Sequence, residues 1–388
     1  MLSEQQFALI EQSLPLVANV GVGVTEHFYA RLFEHNPEVK HYFNLSNQQS
    51  GKQPFALFSA IARFATFLGE PEKLDTLKKQ IAQKHVALTI KPEHYPIVGT
   101  HLIATLQELF PEDFTKDIEA AWTAAYLAIA DLLITEETGL YAQNAAAVGG
   151  WDGTRQFQIT RIEQESEQVK SFYLAPTNGG PIVGFTPGQY LTVQVQPDDQ
   201  AYRQMRHYSI TGIFDGQYRI SVKQDGVVSG FLHKASIGAL IDLTPPSGDF
   251  TLKTSSNPKV FISAGVGITP MVAMLGHLVE MESSTPCHFL HACQNEAMHS
   301  FKEWLNGVSQ KTALVDEIHW YEEQSDYATF TGFMNLHDVT NLPIKDGEFY
   351  LCGPIGFMKA IYKQLTALGV SQSQIHYELF GPHSDLAA

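Results

Sequence analysis

A histidine interrupts an apolar helical stripe in LDTLKKQIAQKHVAL. Leu74, Leu77, Ile81, His85 and Leu88 recur at steps of three and four residues, so one helical face is apolar except for a single imidazole. That position suits axial ligation of the metal in a flat, apolar-bound cofactor, and equally suits a hydrogen-bonded core histidine. A second stripe of Leu57, Ala60, Ile61, Phe64 and Leu68 starts at the polar Gln53, and Tyr29 stands near Phe33 in HFYARLF. A tyrosine hydroxyl and a glutamine amide turned inward would offer two donors to a ligand on the metal's far side. With Phe43 and Leu57 as further lining, the set describes a haem pocket in which His85 is the proximal metal ligand.

Two further groups of residues point to nucleotide chemistry. In RHYSI, Arg206 offers a phosphate clamp, Tyr208 a ring to stack on an isoalloxazine, and Ser209 a hydroxyl near the flavin N5. Taken alone, Arg206 reads as a surface salt bridge and Tyr208 as an ordinary strand residue. FTPGQY adds Tyr190, and QDGVVSGFLH adds a turn at Gly226 and Ser229 ahead of a short helix whose first amides favour a pyrophosphate. In ISAGVGITPMVAML a strand leads through Gly265 and Gly267 into a helix that begins near Thr269, with Pro270 in its first turn. The two glycines permit close backbone approach to a dinucleotide phosphate, or they form a structural tight turn. Cys352, Gly353 and Pro354 end a later strand, and without a CxxC partner Cys352 makes a poor redox thiol. HACQNEAMHSF supplies no arginine or lysine to meet a ribose phosphate, which favours NADH over NADPH.

The elements that must position these residues change character twice. Up to about residue 145 the periodicity is helical: FALIEQSLPLV, VTEHFYARLF, FALFSAIARFATFL, the His85 stripe, HYPIVGTHLIATLQELF and a run from Ile118 to Leu133. AAAVGGWDGT then breaks the helix, and residues 150–256 carry short runs rich in Val, Ile, Tyr and Phe that predict an antiparallel barrel or compact sandwich. From 257 to 388, strands such as KVFISAG and EFYLCGP alternate with helices such as IGFMKAIYKQLTAL, the pattern of a parallel α/β sheet. The chain therefore reads as multidomain.

Composition narrows the partners. The 388 residues carry 41 acidic against 25 basic side chains, a formal charge of -16 without a basic arm, which disfavours nucleic acid and anionic membrane surfaces. No continuous apolar run predicts a bilayer span, and MLSEQQFALIEQS lacks the features of a signal peptide, so a cytoplasmic protein is expected. With only Cys287, Cys293 and Cys352, a disulfide scaffold, an all-cysteine cluster and a CxxCH-linked haem are disfavoured.

The residues flanking these positions bring in a family. Tyr29 in HFYARLFEHNPE, Phe43 in YFNLSNQ, Gln53, and His85 in IAQKHVALTIKPEHYPIVG make the first 145 or so residues resemble the globin domain of a flavohaemoglobin. RHYSI, FTPGQY and QDGVVSGFLH in turn resemble a ferredoxin-reductase-like FAD domain, and ISAGVGITPM, FYLCGPIGFM and YELFGP resemble its NAD(P)H-binding partner. The resemblance implies an all-α globin fold with non-covalent haem b, an antiparallel β-barrel FAD domain and an α/β parallel-sheet NAD(P)-binding domain. It makes Tyr29 and Gln53 distal and His85 proximal, and it places Tyr95 and Glu137 around His85, with Glu137 accepting the outer ring proton. It names Gln189, Val228 and Ser229 among the FAD contacts and sets Glu378 and Phe380 near the nicotinamide and flavin.

Two local observations bear on these implications. Glu137 follows Leu133 by four and Ile129 by eight, but Glu136 stands beside it, and the helix-end reading, a carboxylate facing solvent, stays open. Pro54 directly follows Gln53 and removes a backbone donor that the family pattern usually has, so a helix start or kink is expected there.

The activity implied is that of a nitric oxide dioxygenase. NO and O2 would be the small-molecule substrates, nitrate the product, and NAD(P)H the reductant acting through FAD in one self-contained, monomeric electron-transfer chain. An imidazole bonded to a carboxylate donates more electron density to iron, which favours such chemistry over simple oxygen storage. The alternatives are a haem-linked NADH oxidase or alkyl hydroperoxide reductase, and a non-enzymatic oxygen carrier or gas sensor, which would not need the last two segments.

Overall fold

Apolar residues at helical spacing form five α-helices among the described residues of the N-terminal segment. They are α1 (Glu4–Val20), α2 (Val22–His35), α3 (Pro71–Ala87), α4 (His94–Leu109) and α5 (Lys116–Ala146), with a 3-10 turn at Pro37–Tyr42. The computed structural model describes residues 2–20, 22–43, Phe64, Phe67 and 70–381. Gln53, Pro54 and Leu57 therefore lie outside the described residues. The chain divides into two units, Met1–Thr154 with Gln194–Arg206, and Arg155–Val193 with His207–Ala388.

Helix α5 organises the helical core. Thr115 caps it by accepting from the Ile118 amide, and Asp117 and Glu119 place negative charge in its first turn, where the helix dipole favours it. Ile118, Ala121, Trp122, Ala125, Tyr126, Ile129, Ala130 and Leu133 are buried against Phe28, Leu32, Leu102 and Leu106. Trp122 is 1% exposed and donates its Nε1 proton to Ser13 Oγ at 2.8 Å, tying α5 to α1. Truncating a tryptophan buried this fully costs about 3–5 kcal/mol.

This helix corrects one expectation. It continues well beyond Leu133, so Glu137 lies inside it and not at its end. By length and composition it also passes for a membrane span, a test that the buried core helix of a globular domain meets as well. The helix stops where Gly150 folds back so closely that a Cβ there would lie 1.9 Å from the Asn144 carbonyl oxygen.

The middle segment forms a closed barrel, β1-β2-β5-β4-β3-β6, from β1 (Arg155–Gln164), β2 (Val169–Pro176), β3 (Tyr190–Val195), β4 (Gln204–Phe214), β5 (Gln217–Lys223) and β6 (Leu240–Leu243). Closure removes the sheet edges that a sandwich would leave. A short helix, α6 (Val227–Lys234), follows β5.

The last segment forms a six-stranded parallel sheet in the order β10-β9-β8-β7-β11-β12. Its strands are β7 (Lys259–Ala264), β8 (Cys287–Cys293), β9 (Val315–Tyr321), β10 (Phe330–Thr331), β11 (Glu348–Cys352) and β12 (Ile375–Glu378). Its helices are α7 (Ile268–Glu280), α8 (Lys302–Lys311) and α9 (Ile355–Ala367). Strand alternation explains why both faces are apolar. Val260 and Ile262 join a core with Met358 and Ile361 of α9, whereas Phe261 between them joins Met271 and Leu275 of α7. Sequence periodicity did not pick out α8, whose KEWLNGVSQK buries only Leu305 and Val308.

Candidate functional site

His85 lies in the last turn of α3, and its ring is fixed from behind. Its Nδ1 lies 2.7 Å from Glu137 Oε1 and 3.0 Å from Tyr95 Oη. Tyr95 gives its own proton to Glu137 Oε1 at 2.5 Å. A carboxylate can only accept, and the tyrosine proton is already spent, so the proton on this side of the ring sits on Nδ1. That assignment leaves the Nε2 lone pair free to ligate a metal. The imidazole side chain keeps 31% of its surface while Glu137 keeps 2%.

The supports of this trio come from α4 and α5. Tyr126 donates to the Tyr95 carbonyl at 2.7 Å, and it fits there because Gly99 lacks a Cβ, which would lie 2.5 Å from the Tyr126 ring. Tyr141 donates to the Ile90 carbonyl at 2.6 Å, and the Ile90 amide donates to the His85 carbonyl at 2.9 Å. Burial, with the Glu137 charge beside it, pushes the Tyr95 phenol well above its ordinary range, so it stays a donor. Glu136, one residue earlier, points elsewhere and pairs with Lys78 at 2.8 Å.

Tyr29 is 7% exposed on α2, in an aromatic cluster with Phe28, Phe33 and Phe43 at ring separations of 5.0, 5.6 and 5.5 Å. Burial raises its pKa, which keeps the hydroxyl protonated and able to donate.

On the barrel, Tyr190 opens β3 and its Oη is buried without a partner. The His207 ring packs on it at 4.5 Å and shares a hydrogen bond with Thr192 Oγ1 at 2.8 Å. Gly248 permits the packing from another side, since a Cβ there would lie 2.8 Å from the Tyr190 ring. Gln189 accepts from the Thr186 amide, and its carbonyl accepts from Ile210. Arg206 and Tyr208 occupy alternate, half-buried positions of β4, with Ser209 buried on the other face. Gly226 takes φ 100° ahead of α6. The Ser229 hydroxyl is consumed locally, accepting from Asp225 and donating to Gly226, and Val228 is 1% exposed, so neither side chain is turned outward at this helix start.

In the parallel sheet, Gly265 takes φ 52° with open space at its Cβ position. At Gly267 a Cβ would lie 2.3 Å from the Cys352 carbonyl oxygen, so this glycine lets the loop approach the end of β11 closely. Thr269 Oγ1 donates to the Val266 carbonyl, Pro270 is buried in the first turn, and α7 starts at Ile268. Cys352 is fully buried, and burial lifts its thiol well above the usual range, so its side chain is core. Gly353 and Pro354 follow it, and Glu378 pairs with it in register across β12. Phe380 is 50% exposed.

Three family models match the chain: globin at residues 26–133, an oxidoreductase FAD-binding domain at 156–252 and an oxidoreductase NAD-binding domain at 261–363. A flavohemoprotein of Vibrio cholerae is 42% identical, with all of both chains covered. The chain belongs to the flavohemoprotein family. One from Bordetella pertussis is 40% identical over 98% of this chain and 99% of its own.

Solved structures agree on the fold. The crystal structure of a flavohemoglobin from Malassezia yamatoensis, with bound FAD and heme, superposes with a TM-score of 0.89 at 26% identity, covering 98% of this chain and all of that one. The FAD/NAD-binding domain of a nitric oxide dioxygenase from Vibrio cholerae gives 0.56 at 40% identity over 59% of this chain and 99% of its own. This flavohemoprotein is therefore an oxidoreductase that joins a globin segment to FAD- and NAD-binding segments.

The described residues of the flavohemoprotein fit those groups. The free Nε2 of His85 suits haem iron, and the orphaned Tyr190 Oη is a buried polar atom that a flavin would satisfy. Sequence reading did not select His207 or Gly248. A histidine beside RHYSI's tyrosine and a glycine after two prolines were the only signals, and neither specifies contact with Tyr190 without the barrel.

Proposed function

We propose that this flavohemoprotein is a nitric oxide dioxygenase, oxidising NO to nitrate with O2 at the expense of reduced nicotinamide. The observation that carries the reading is the His85–Glu137–Tyr95 triad, held in the same chain as the two reductase segments. When bound, haem b supplies an iron that activates oxygen and accepts single electrons, and FAD takes up hydride and returns its electrons one at a time.

The residues divide the work. His85 holds the iron, and Glu137, by drawing the Nδ1 proton, makes the imidazole a stronger donor. Tyr29 donates a hydrogen bond on the distal side, with Gln53 as a second donor, and Phe43 and Leu57 keep that side apolar. Arg206, Tyr208, Ser209, Gln189, Tyr190 and the amides at Gly226, Val228 and Ser229 hold FAD. Gly265, Gly267, Thr269 and Pro270, with Cys352, Gly353 and Pro354, shape the nicotinamide nucleotide site, beside Glu378 and Phe380. The working segments are 1–145, 150–256 and 257–388, the nucleotide is NADH, and the protein acts in the cytoplasm.

The test is stoichiometric. Haem- and FAD-loaded protein given NADH, O2 and NO forms two nitrates per NADH oxidised. Peroxide consumption without nitrate would assign the rival reductase activity instead. A ferric iron that survives anaerobic NADH while the flavin bleaches would break the circuit.

A further inference from the structure

Phe301 carries a backbone conformation that its side chain disfavours. It stands at φ 62°, ψ 15° ahead of α8, in the left-handed region that favours glycine, and its ring is only 4% exposed. A bulky residue keeps such a conformation only where its surroundings hold it there. The ring joins the apolar core that contains Met271 and Leu305, and its centre lies 5.3 Å from the Arg219 guanidinium of β5.

Arg219 is fixed in turn. It is buried, its Nε donates to Thr211 Oγ1 at 2.9 Å and its Nη2 donates to the Thr211 carbonyl at 3.0 Å. Thr211 lies on β4, two residues beyond Ser209, so the guanidinium joins Phe301 to the strand that carries the proposed flavin contacts Tyr208 and Ser209. On its other side, Phe301 closes the segment that leaves the carboxyl end of β8, the end at which open parallel sheets hold their ligands. Two bonds pin this segment to the turn between β1 and β2: Ser300 Oγ donates to Ser166 Oγ at 2.9 Å, and the Glu167 amide donates to the Ala297 carbonyl at 3.0 Å. Beside them a cleft of about 500 Å³ parts the two walls, with Glu163, Glu165 and Arg219 on the barrel and Glu296, Lys302 and Trp304 on the sheet segment. Barrel and sheet segment therefore meet here through a few directed contacts and not through a continuous core.

We propose that Phe301 and Arg219 are positioning residues for hydride transfer, forming a bridge that sets the nicotinamide site against the flavin site. The inference rests on the reading that reduced nicotinamide is the electron source, a hydride passing from NADH to FAD to leave NAD+ and FADH−. That step depends steeply on distance and angle, so a small displacement of one segment against the other slows it without weakening the nucleotide's own contacts.

The test follows anaerobic bleaching of the flavin by NADH in the FAD- and haem-loaded chain by stopped flow, which separates the limiting rate from the dissociation constant of NADH. Phe301→Leu keeps apolar bulk without the ring face, and Arg219→Lys keeps the charge without the two-pronged grip on Thr211. Each should lower the limiting rate by about tenfold or more and change the dissociation constant by less than about threefold. The double variant should stay within about twofold of the slower single one, because both changes remove one shared contact. Phe214→Leu removes the other ring against Arg219, at 4.6 Å, and should leave the rate within about twofold. Unchanged limiting rates in both single variants, losses that multiply in the double variant, or a loss carried by weaker NADH binding would each overturn the proposal. Should Phe301→Leu fail to retain FAD, the rate of Arg219→Lys decides alone. An unaltered protein whose flavin NADH does not bleach would instead sink the reading beneath the proposal, so the two failures are separate results.

Discussion

Glu137 Oε1 lies 2.7 Å from His85 Nδ1, and the other oxygen of the same buried carboxylate has no hydrogen-bond partner. The asymmetry concentrates the acceptor on the ring proton, where it acts on the donor strength of Nε2. It also makes Glu137 a group whose replacement is informative at constant volume.

Glu137→Gln keeps the shape and one acceptor but removes the charge. The expected result is a haem-loaded protein with a raised iron reduction potential and NO-dependent NADH oxidation lowered by about 10–100-fold, the range seen when partners of metal-binding histidines are changed. Potentiometric titration and steady-state kinetics on one preparation check both parts. An unchanged potential would separate Glu137 from the electronics of the site.

Tyr95→Phe removes the hydroxyl that donates to the buried carboxylate. Hydrogen bonds to charged groups contribute about 1.5–3 kcal/mol, so the variant should unfold at lower denaturant with a loss of that size. Far-UV circular dichroism in urea measures it, and a loss below about 0.5 kcal/mol would show that water replaces the phenol.

Stability should depend on three buried histidines of the parallel sheet. His291 Nδ1 meets Ser263 Oγ at 2.9 Å, His299 Nδ1 meets Tyr321 Oη at 2.8 Å and His319 Nε2 meets the Tyr327 carbonyl at 2.6 Å. The remaining ring nitrogens are buried without hydrogen-bond partners, although Glu317 Oε1 lies 3.9 Å from His319 Nδ1. Burial lowers all three pKa values, His291 to about 3 and His299 to about 2. A folded-state value below the unfolded one means that the stability present above about pH 6.5 is lost as pH falls, because only the unfolded chain takes up protons. For His291 and His299 the slope is about 1.4 kcal/mol per pH unit each between about pH 6 and 4, and His319 adds to it in the same direction. Urea midpoints across that range should fall steeply, and less so in His299→Gln; parallel profiles would remove His299 from the account.

Gly267→Ala would put a methyl carbon 2.3 Å from a main-chain oxygen of β11. Backbone cannot yield as a flexible side chain can, so a cost of about 1–3 kcal/mol is expected. Bleaching of the flavin by NADH should slow by about tenfold or more while the haem spectrum is retained. A variant with normal hydride transfer would mean that the loop tolerates displacement.

The three periodicities were legible because they arise from short-range sterics: apolar steps of three and four, then β-rich runs between Pro and Gly turns, then strand and helix in alternation. His85 was legible because an imidazole breaks its own apolar stripe. The choice between Glu136 and Glu137 was not, since neighbouring residues differ by about 100° around a helix and only packing against α3 decides which carboxylate is buried. The amphipathic signal of α8 was too short to register for a related reason: its two buried residues matter only once β8 and β9 lie beneath them.

The sequence by itself determined the class of each segment and the chemical types available at each site, because local periodicity and side-chain chemistry do not depend on distant partners. Tertiary structure alone decided that one oxygen of Glu137 serves both His85 and Tyr95, that Gly267 makes room for β11, and that His207 packs on Tyr190. Each of these joins residues from separate elements, and a contact between elements exists only once the chain has brought their surfaces together.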